Sequence, residues 1–171
     1  MSSSMMSPPA SSGITAAALL RASPLPPLEA RILLAHALGW RRTELITRGD
    51  EPLADAAVAL YRGIEARRAA GEPIAQIVGS REFYGLEFEV TPHVLIPRPE
   101  TELLVEAALA ALEAVARPRV LDLGTGSGAI AIAIASARPD ARVWALDCSA
   151  EALAVAARNS ARLLDRGRPG G

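Results

Sequence analysis

The sequence contains no lysine and a single cysteine, Cys148. One cysteine excludes an intrachain disulfide, and a reducing compartment such as the cytoplasm fits that scarcity. All 18 basic residues are arginine and alanine is the commonest residue, which we read as compositional bias without mechanistic content. Histidine is scarce too: His36 lies among Leu33, Leu34 and Leu38 and is expected to be a partly buried helix residue, while His93 has no metal-ligand partner near it in sequence. No metal site is therefore expected. The longest uncharged stretch of the second half, Leu123 to Ala137, has 15 residues and is rich in Gly and Ser, too short to span a bilayer. The first 13 residues are Ser/Pro-rich without a basic n-region or an apolar h-region, so they read as a disordered lead-in and not as a signal peptide. Charge of one sign is also missing: 18 basic against 19 acidic side chains give a net charge of −1. That balance excludes a charged disordered tail and a dedicated nucleic-acid binder. What remains is a chain of 171 residues, half of them hydrophobic. It is long enough to bury a core unaided, as one domain or as a small domain plus part of another.

From Ile14 to Ala70 the pattern is helical. Ile32, Leu33, Leu34, Ala37 and Leu38 recur at helical spacing, with Pro26 and Pro27 where a helix can start and Gly39 where one can stop. Leu53 to Ala70 is a second long candidate, carrying Val58, Leu60, Tyr61 and Ile64. Short helices are expected at Thr15–Arg21 and Thr43–Thr47. No β pattern is visible, so the region reads as a small helical bundle. Arg41, Arg42, Arg62, Arg67 and Arg68 offer it a basic face, solvated by default and a docking face for an acidic protein in the sharper reading.

At Gly71 the period changes. The apolar run Ile74–Val78, then Phe83-Tyr84-Gly85 and the alternating Leu86-Glu87-Phe88-Glu89-Val90, read as a β-hairpin linker. Pro92, Pro97 and Pro99 keep the next segment extended. Pro99, Glu100 and Glu102 then suit a helix start, with Leu104, Ala108, Ala111, Leu112 and Val115 as its apolar face. Val120–Leu123 and Val143–Leu146 are short, mostly apolar runs flanking a small-residue helix over Ser127–Ala137. Together they make one βαβ unit whose strands are apolar on both faces. Ser149 is a good N-cap for a helix running to Leu164.

The informative run is Asp122-Leu123-Gly124-Thr125-Gly126-Ser127-Gly128. It follows a strand and opens a helix, which is the context a glycine motif needs. Glycines let the backbone turn tightly and let a ligand approach without a Cβ in the way. The helix start beyond offers free N–H groups and partial positive charge. The second strand ends in Asp147, an acid placed to accept hydrogen bonds from a ribose diol. A ligand-free strand–helix turn is the bland alternative, and the full order of strand, alternating glycines, helix, strand and terminal acid weighs against it. The spacing is G-x-G-x-G, not the G-x-G-x-x-G that cradles a pyrophosphate, which disfavours a nicotinamide oxidoreductase. S-adenosylmethionine carries a ribose diol and an amino-acid ammonium and no phosphate. Two acids around the loop, Asp122 and Asp147, fit that cationic ligand better.

Four segments together resemble the release-factor glutamine methyltransferases of the HemK type: Gly71-Glu72-Pro73-Ile74, Gly79 to Leu86, Leu95-Ile96-Pro97-Arg98-Pro99-Glu100-Thr101-Glu102, and Asp122 to Gly128. The glycine motif is shared by many class I methyltransferases, whereas the Ile-Pro-Arg-Pro-Glu-Thr-Glu segment is particular to this family. The resemblance runs from about Ile14 to Leu164. It implies an α/β chain in four parts: a lead-in over 1–13, a helical substrate-recognition bundle over 14–70, a β-hairpin and proline-rich linker over 71–98, and over 99–171 the first βαβα part of a class I, Rossmann-like methyltransferase domain. The implied cofactor is S-adenosyl-L-methionine, contacted by Gly124, Thr125, Gly126, Ser127, Gly128 and Asp147. The implied partner is a peptide chain release factor, methylated on the side-chain amide of its Gly-Gly-Gln glutamine, with no direct nucleic acid and no membrane.

The family's Asn-Pro-Pro-Tyr motif, which follows its fourth strand, does not occur in these 171 residues. The resemblance therefore implies an N-terminal portion, truncated before the catalytic centre and inactive alone, and no catalytic residue is assigned. It also implies that Val120–Leu123 has an unpaired edge and that Trp144 and Leu146 are partly exposed. Two other readings stay open from sequence: a ribosomal-protein glutamine methyltransferase, and a non-catalytic adapter carrying a remnant cofactor loop. Cys148 reads as packing, and Arg98 as either a brace of the linker or a lining of the substrate cleft.

Overall fold

The computed structural model describes residues 11–164, which divide into two compact units, one ending at Val78 and one beginning at Gly79. The tail Asp165–Gly171 and most of the expected lead-in lie outside the described residues.

In the first unit β1 (Ser11–Thr15) leads into α1 (Ala16–Ala22), α2 (Pro27–Leu38), α3 (Glu44–Thr47), β2 (Pro52–Ala54), α4 (Asp55–Ala69) and α5 (Ile74–Val78). Local chemistry sets the boundaries. The Thr15 hydroxyl accepts the Ala18 N–H at 3.2 Å and caps α1. Pro27 opens α2, and Gly39 closes it at φ +63°, with Trp40 N–H returning to the Ala35 carbonyl at 2.9 Å. Leu33, Leu34, Ala16 and Tyr61 are fully buried, with Leu45, Leu53, Val58, Ile64 and Ile77 around them. The Tyr61 hydroxyl donates to Glu65 at 2.8 Å, and burial pushes its pKa up to about 12.

Three expectations for this unit are corrected. The bundle does contain strand: β1 pairs antiparallel with β2, and Ser11–Gly13 of the expected lead-in belong to that ladder. The Ile74–Val78 run is a helix, with Gln76 and Ile77 N–H groups returning to the Pro73 carbonyl, and Ile77 joins the bundle core. Finally, His36 lies on the exposed side of α2. The basic face is also smaller than five arginines. Arg68 makes a two-pronged pair with Glu29 at 2.7 and 3.1 Å, and Arg67 pairs with Glu72.

The second unit opens with the hairpin β3 (Ser80–Phe83) and β4 (Leu86–Glu89), turned by Tyr84 and Gly85 at φ +51° and +71°. Two successive positive-φ residues form the tight turn whose twist matches that of the strands. The Glu102 carboxylate accepts the Tyr84 N–H at 2.8 Å. After a 3-10 turn at Pro99–Thr101 come α6 (Glu102–Ala111), β5 (Arg119–Leu123), α7 (Ala129–Ala137), β6 (Arg142–Leu146) and α8 (Ala150–Leu164).

β5 and β6 are parallel in register, Leu121 beside Trp144 and Leu123 beside Leu146. The core gathers Phe83, Phe88, Val105, Ile132, Ala133 and Ile134. The packed face of α6 is Val105, Ala108, Leu109 and Leu112, while Leu104, Ala111 and Val115 are exposed, which corrects the expected face. Leu121, Leu123, Trp144 and Leu146 lie 44–71% exposed on one side of the two-stranded sheet. The strands are thus covered on one face here, not on both.

Candidate functional site: the glycine loop between β5 and α7

The loop is fixed to the end of β6 before any ligand is considered. The Leu146 carbonyl accepts the N–H groups of both Gly124, at 2.8 Å, and Thr125, at 3.0 Å. The next residue, Asp147, faces the loop: its Oδ2 accepts the Gly126 N–H at 2.8 Å, and its Oδ1 accepts the Ser149 N–H at 3.0 Å. The Ser149 hydroxyl in turn accepts the Ala152 N–H at 3.0 Å and caps α8. The terminal acid and the glycines, 21 residues apart from Gly126 to Asp147, are therefore one constellation.

These bonds set the electrostatics. The Ser149 and Gly126 amides hold the Asp147 carboxyl below its ordinary value, so it is ionised throughout the neutral range. A carboxylate has about four lone-pair sites, so two amide bonds leave acceptor capacity for further donors. Asp122, at the end of β5, accepts the Thr125 hydroxyl at 2.7 Å. Thr125 and Ser127 are buried, so their side chains belong to the loop's interior. Their contribution to a ligand would come from the backbone.

The three glycines differ in what they do. All have positive φ: +76° at Gly124, +56° at Gly126 and +82° at Gly128. A Cβ on Gly124 or Gly126 would meet nothing within 4 Å, so space lies open over the loop there. A Cβ on Gly128 would stand 2.8 Å from Ile132 Cδ1 and 3.2 Å from Ala156 Cβ. Gly128 is thus a close contact between the loop and α8, and its left-handed backbone delays α7 until Ala129, two residues later than expected.

One residue escaped sequence reasoning. Asn159 is fully buried on the inner face of α8 with Ala152, Val155 and Ala156, and its side-chain N–H₂ donates to the Ser127 carbonyl at 2.9 Å. The signal was present: a lone amide at a core position of an amphipathic helix must have partners. Cys148 is exposed beside Asp147, and His93 is exposed in the proline segment. No group of three or more His, Cys, Asp or Glu that could hold a metal occurs among the described residues.

Comparison with known proteins matches both units. Residues 14–79 match the family model described as PrmC N-terminal domain, and residues 99–165 match the methyltransferase small domain. The release factor glutamine methyltransferase of Burkholderia pseudomallei is 69% identical over 157 residues, covering 92% of this chain and 55% of that protein. Over most of its length the chain is thus similar to members of this family. The proteins of the same name from Bordetella pertussis and Escherichia coli are 54% and 46% identical, covering 81% and 84% of this chain. The chain spans about half the length of the curated relatives it matches. Within this family frame, the β5–α7–β6–α8 run is part of a Rossmann-like methyltransferase fold. No described helix is long and apolar enough to cross a membrane.

Proposed function

We propose that the chain supplies the cofactor-binding loop and the substrate-recognition bundle of an S-adenosylmethionine-dependent protein methyltransferase. Its substrate is the side-chain amide of the Gly-Gly-Gln glutamine in a cytoplasmic peptide chain release factor. The observation that carries the reading is the Asp147–Gly126 bond beneath open space over Gly124 and Gly126. The names of the relatives support the substrate, and the helical unit, matched to the PrmC N-terminal domain, is the part we assign to partner recognition.

The donor set fits the cofactor. Asp147 is ionised, fixed by two backbone amides, and has acceptor sites left for a ribose diol. Asp122, bonded to Thr125 of the same loop, supplies a second carboxylate suited to an ammonium directly or through water. Gly124 and Gly126 leave the backbone open to the ligand, Gly128 lets the loop close against α8, and Thr125 and Ser127 shape the loop from inside. When bound, S-adenosylmethionine supplies an electrophilic methyl group and a neutral thioether leaving group.

An amide nitrogen is a poor nucleophile because its lone pair is delocalised, so such an enzyme must hold it in line at near-attack distance. It must also accept the amide's N–H bonds as positive charge builds on nitrogen. The residues described here hold and orient one reactant. We assign none of them to accepting the proton.

Titration calorimetry of the 171-residue chain with S-adenosylhomocysteine, and separately with NAD, tests the reading. Binding of the first and not the second is expected. A preference for NAD overturns the assignment.

A further inference from the structure

Three residues of α8 grip the outer edge of the hairpin. The Asn159 amide meets Glu89 as a neighbouring strand would: Oδ1 accepts the Glu89 N–H at 2.8 Å, and Nδ2 donates to the Glu89 carbonyl at 3.0 Å. Arg158 pairs with the Glu89 carboxylate at 2.7 Å, and Arg162 donates to the Glu87 carbonyl and, at 3.0 Å, to Asn159 Oδ1. The second N–H of Asn159 goes the other way, to the Ser127 carbonyl inside the glycine loop at 2.9 Å. One turn back on the same helix, Ala156 stands against Gly128. Every hydrogen-bonding position of one fully buried amide is thus shared between β4, the glycine loop and its own helix.

Such a group is more than filler. A buried amide whose partners lie on separate elements loses its bonds if any one of them shifts, and each unmet polar group then carries the full cost of desolvation. Apolar side chains could fill the same volume without this requirement. The bond that holds the Ser127 carbonyl is therefore tied to the position of β4 through one side chain.

We propose that Asn159 is a positioning residue that couples the hairpin at Glu89 to the glycine loop at Ser127, so that order in one supports order in the other. It rests on the reading above only where cofactor is concerned: occupancy of the loop then steadies the hairpin, and by reciprocity a steady hairpin favours occupancy.

Residue-resolved amide exchange on the full 171-residue chain, without ligand, tests the coupling. In Asn159→Ala, exchange rises about tenfold at Glu89 and also at Gly126 and Gly128, the ratio expected when a buried hydrogen bond of ordinary strength is lost. The Leu112 amide, bonded within α6, stays unchanged and reports that the unit is folded. Asn159→Asp keeps the volume and the acceptor for Glu89 N–H but loses both donated bonds, to the Ser127 and the Glu89 carbonyls. It frees the loop amides while Glu89 stays protected, and it decides the matter if the alanine variant unfolds. Unchanged exchange at Gly126 and Gly128 in a folded variant overturns the proposal. Adding S-adenosylhomocysteine slows exchange at Glu89 in the wild-type chain and not in either variant. If the wild-type chain does not bind that probe, the cofactor reading falls, while the ligand-free exchange still decides the coupling.

Discussion

Asp147 accepts the Gly126 N–H at 2.8 Å, joining the end of the second parallel strand to the middle of the glycine loop through a single carboxylate. The same side chain accepts the Ser149 N–H that begins α8. Strand end, loop and helix start are therefore held by one charge.

Replacing that charge affects ligand and loop together. Asp147→Ala should weaken S-adenosylhomocysteine binding about tenfold or more, the scale for hydrogen bonds to an ionised group. The pH dependence follows from the sign of the shift. The Ser149 and Gly126 amides lower the Asp147 pKa in the folded chain. Its contribution is fully present above the unfolded carboxylate value and is lost as pH falls through the lower folded value. Affinity should be flat from pH 8 to below the ordinary carboxylate range of about 4, then fall. A decline already beginning near neutrality in calorimetric titrations would assign the control to another group.

Gly128 is the glycine most sensitive to a side chain. An alanine there must adopt φ +82° and also displace Ile132 Cδ1 and Ala156 Cβ. A non-glycine residue in that backbone region costs about 1–2 kcal/mol, and overpacking adds about 1–3 kcal/mol. Gly126→Ala meets open space and should carry only the first cost. Because the nearest obstacle is the tip of Ile132, Ile132→Val should cost less in the Gly128→Ala background than alone. Urea denaturation of the four chains in that cycle measures the coupling.

The candidate site stands out in the sequence because punctuation and charge mark it: a strand, glycines, a helix and an acid in fixed order. The structure brings Asp147 and Gly126 together as that order implies. What was not legible has physical reasons. β2 has three residues and begins with Pro52, too short to show alternation. Ile74–Val78 is apolar except for Gln76, and a run of five cannot distinguish helix from strand by periodicity. α6 is apolar almost all round, so only packing against the hairpin and α7 selects Val105 over Leu104. Asn159 has partners 32 and 70 residues away, and no local pattern carries that information.

The boundary of the helical unit is testable through α5. Ile77 is 7% exposed within the bundle core, and Ile74 and Val78 pack against it. A segment of residues 11–78 should melt cooperatively by circular dichroism. A segment ending at residue 70 should melt at lower temperature, since it forfeits the burial of Ile77, worth about 1.5–3 kcal/mol. Equal midpoints would mean that α5 adds nothing to the bundle.

The open face of the parallel strands sets the behaviour of this chain at high concentration. Leu121, Leu123, Trp144 and Leu146 form two laterally paired rows, with Arg119 stacked 5.3 Å over the Trp144 ring. Contiguous apolar surface of this kind favours association, because contact removes it from water. The strands add open backbone groups at the sheet edge, which can pair with another chain. Light scattering of the 171-residue chain should show a mass that rises with concentration. Leu123→Glu, at the residue 71% exposed, should lower that rise with little change in thermal midpoint, because the side chain makes few contacts to lose. A charge on the buried side of the same sheet, at Val143, should instead lower the midpoint, since Val143 packs into the core of the unit. A monodisperse monomer across the concentration series would show that the exposed rows do not drive association.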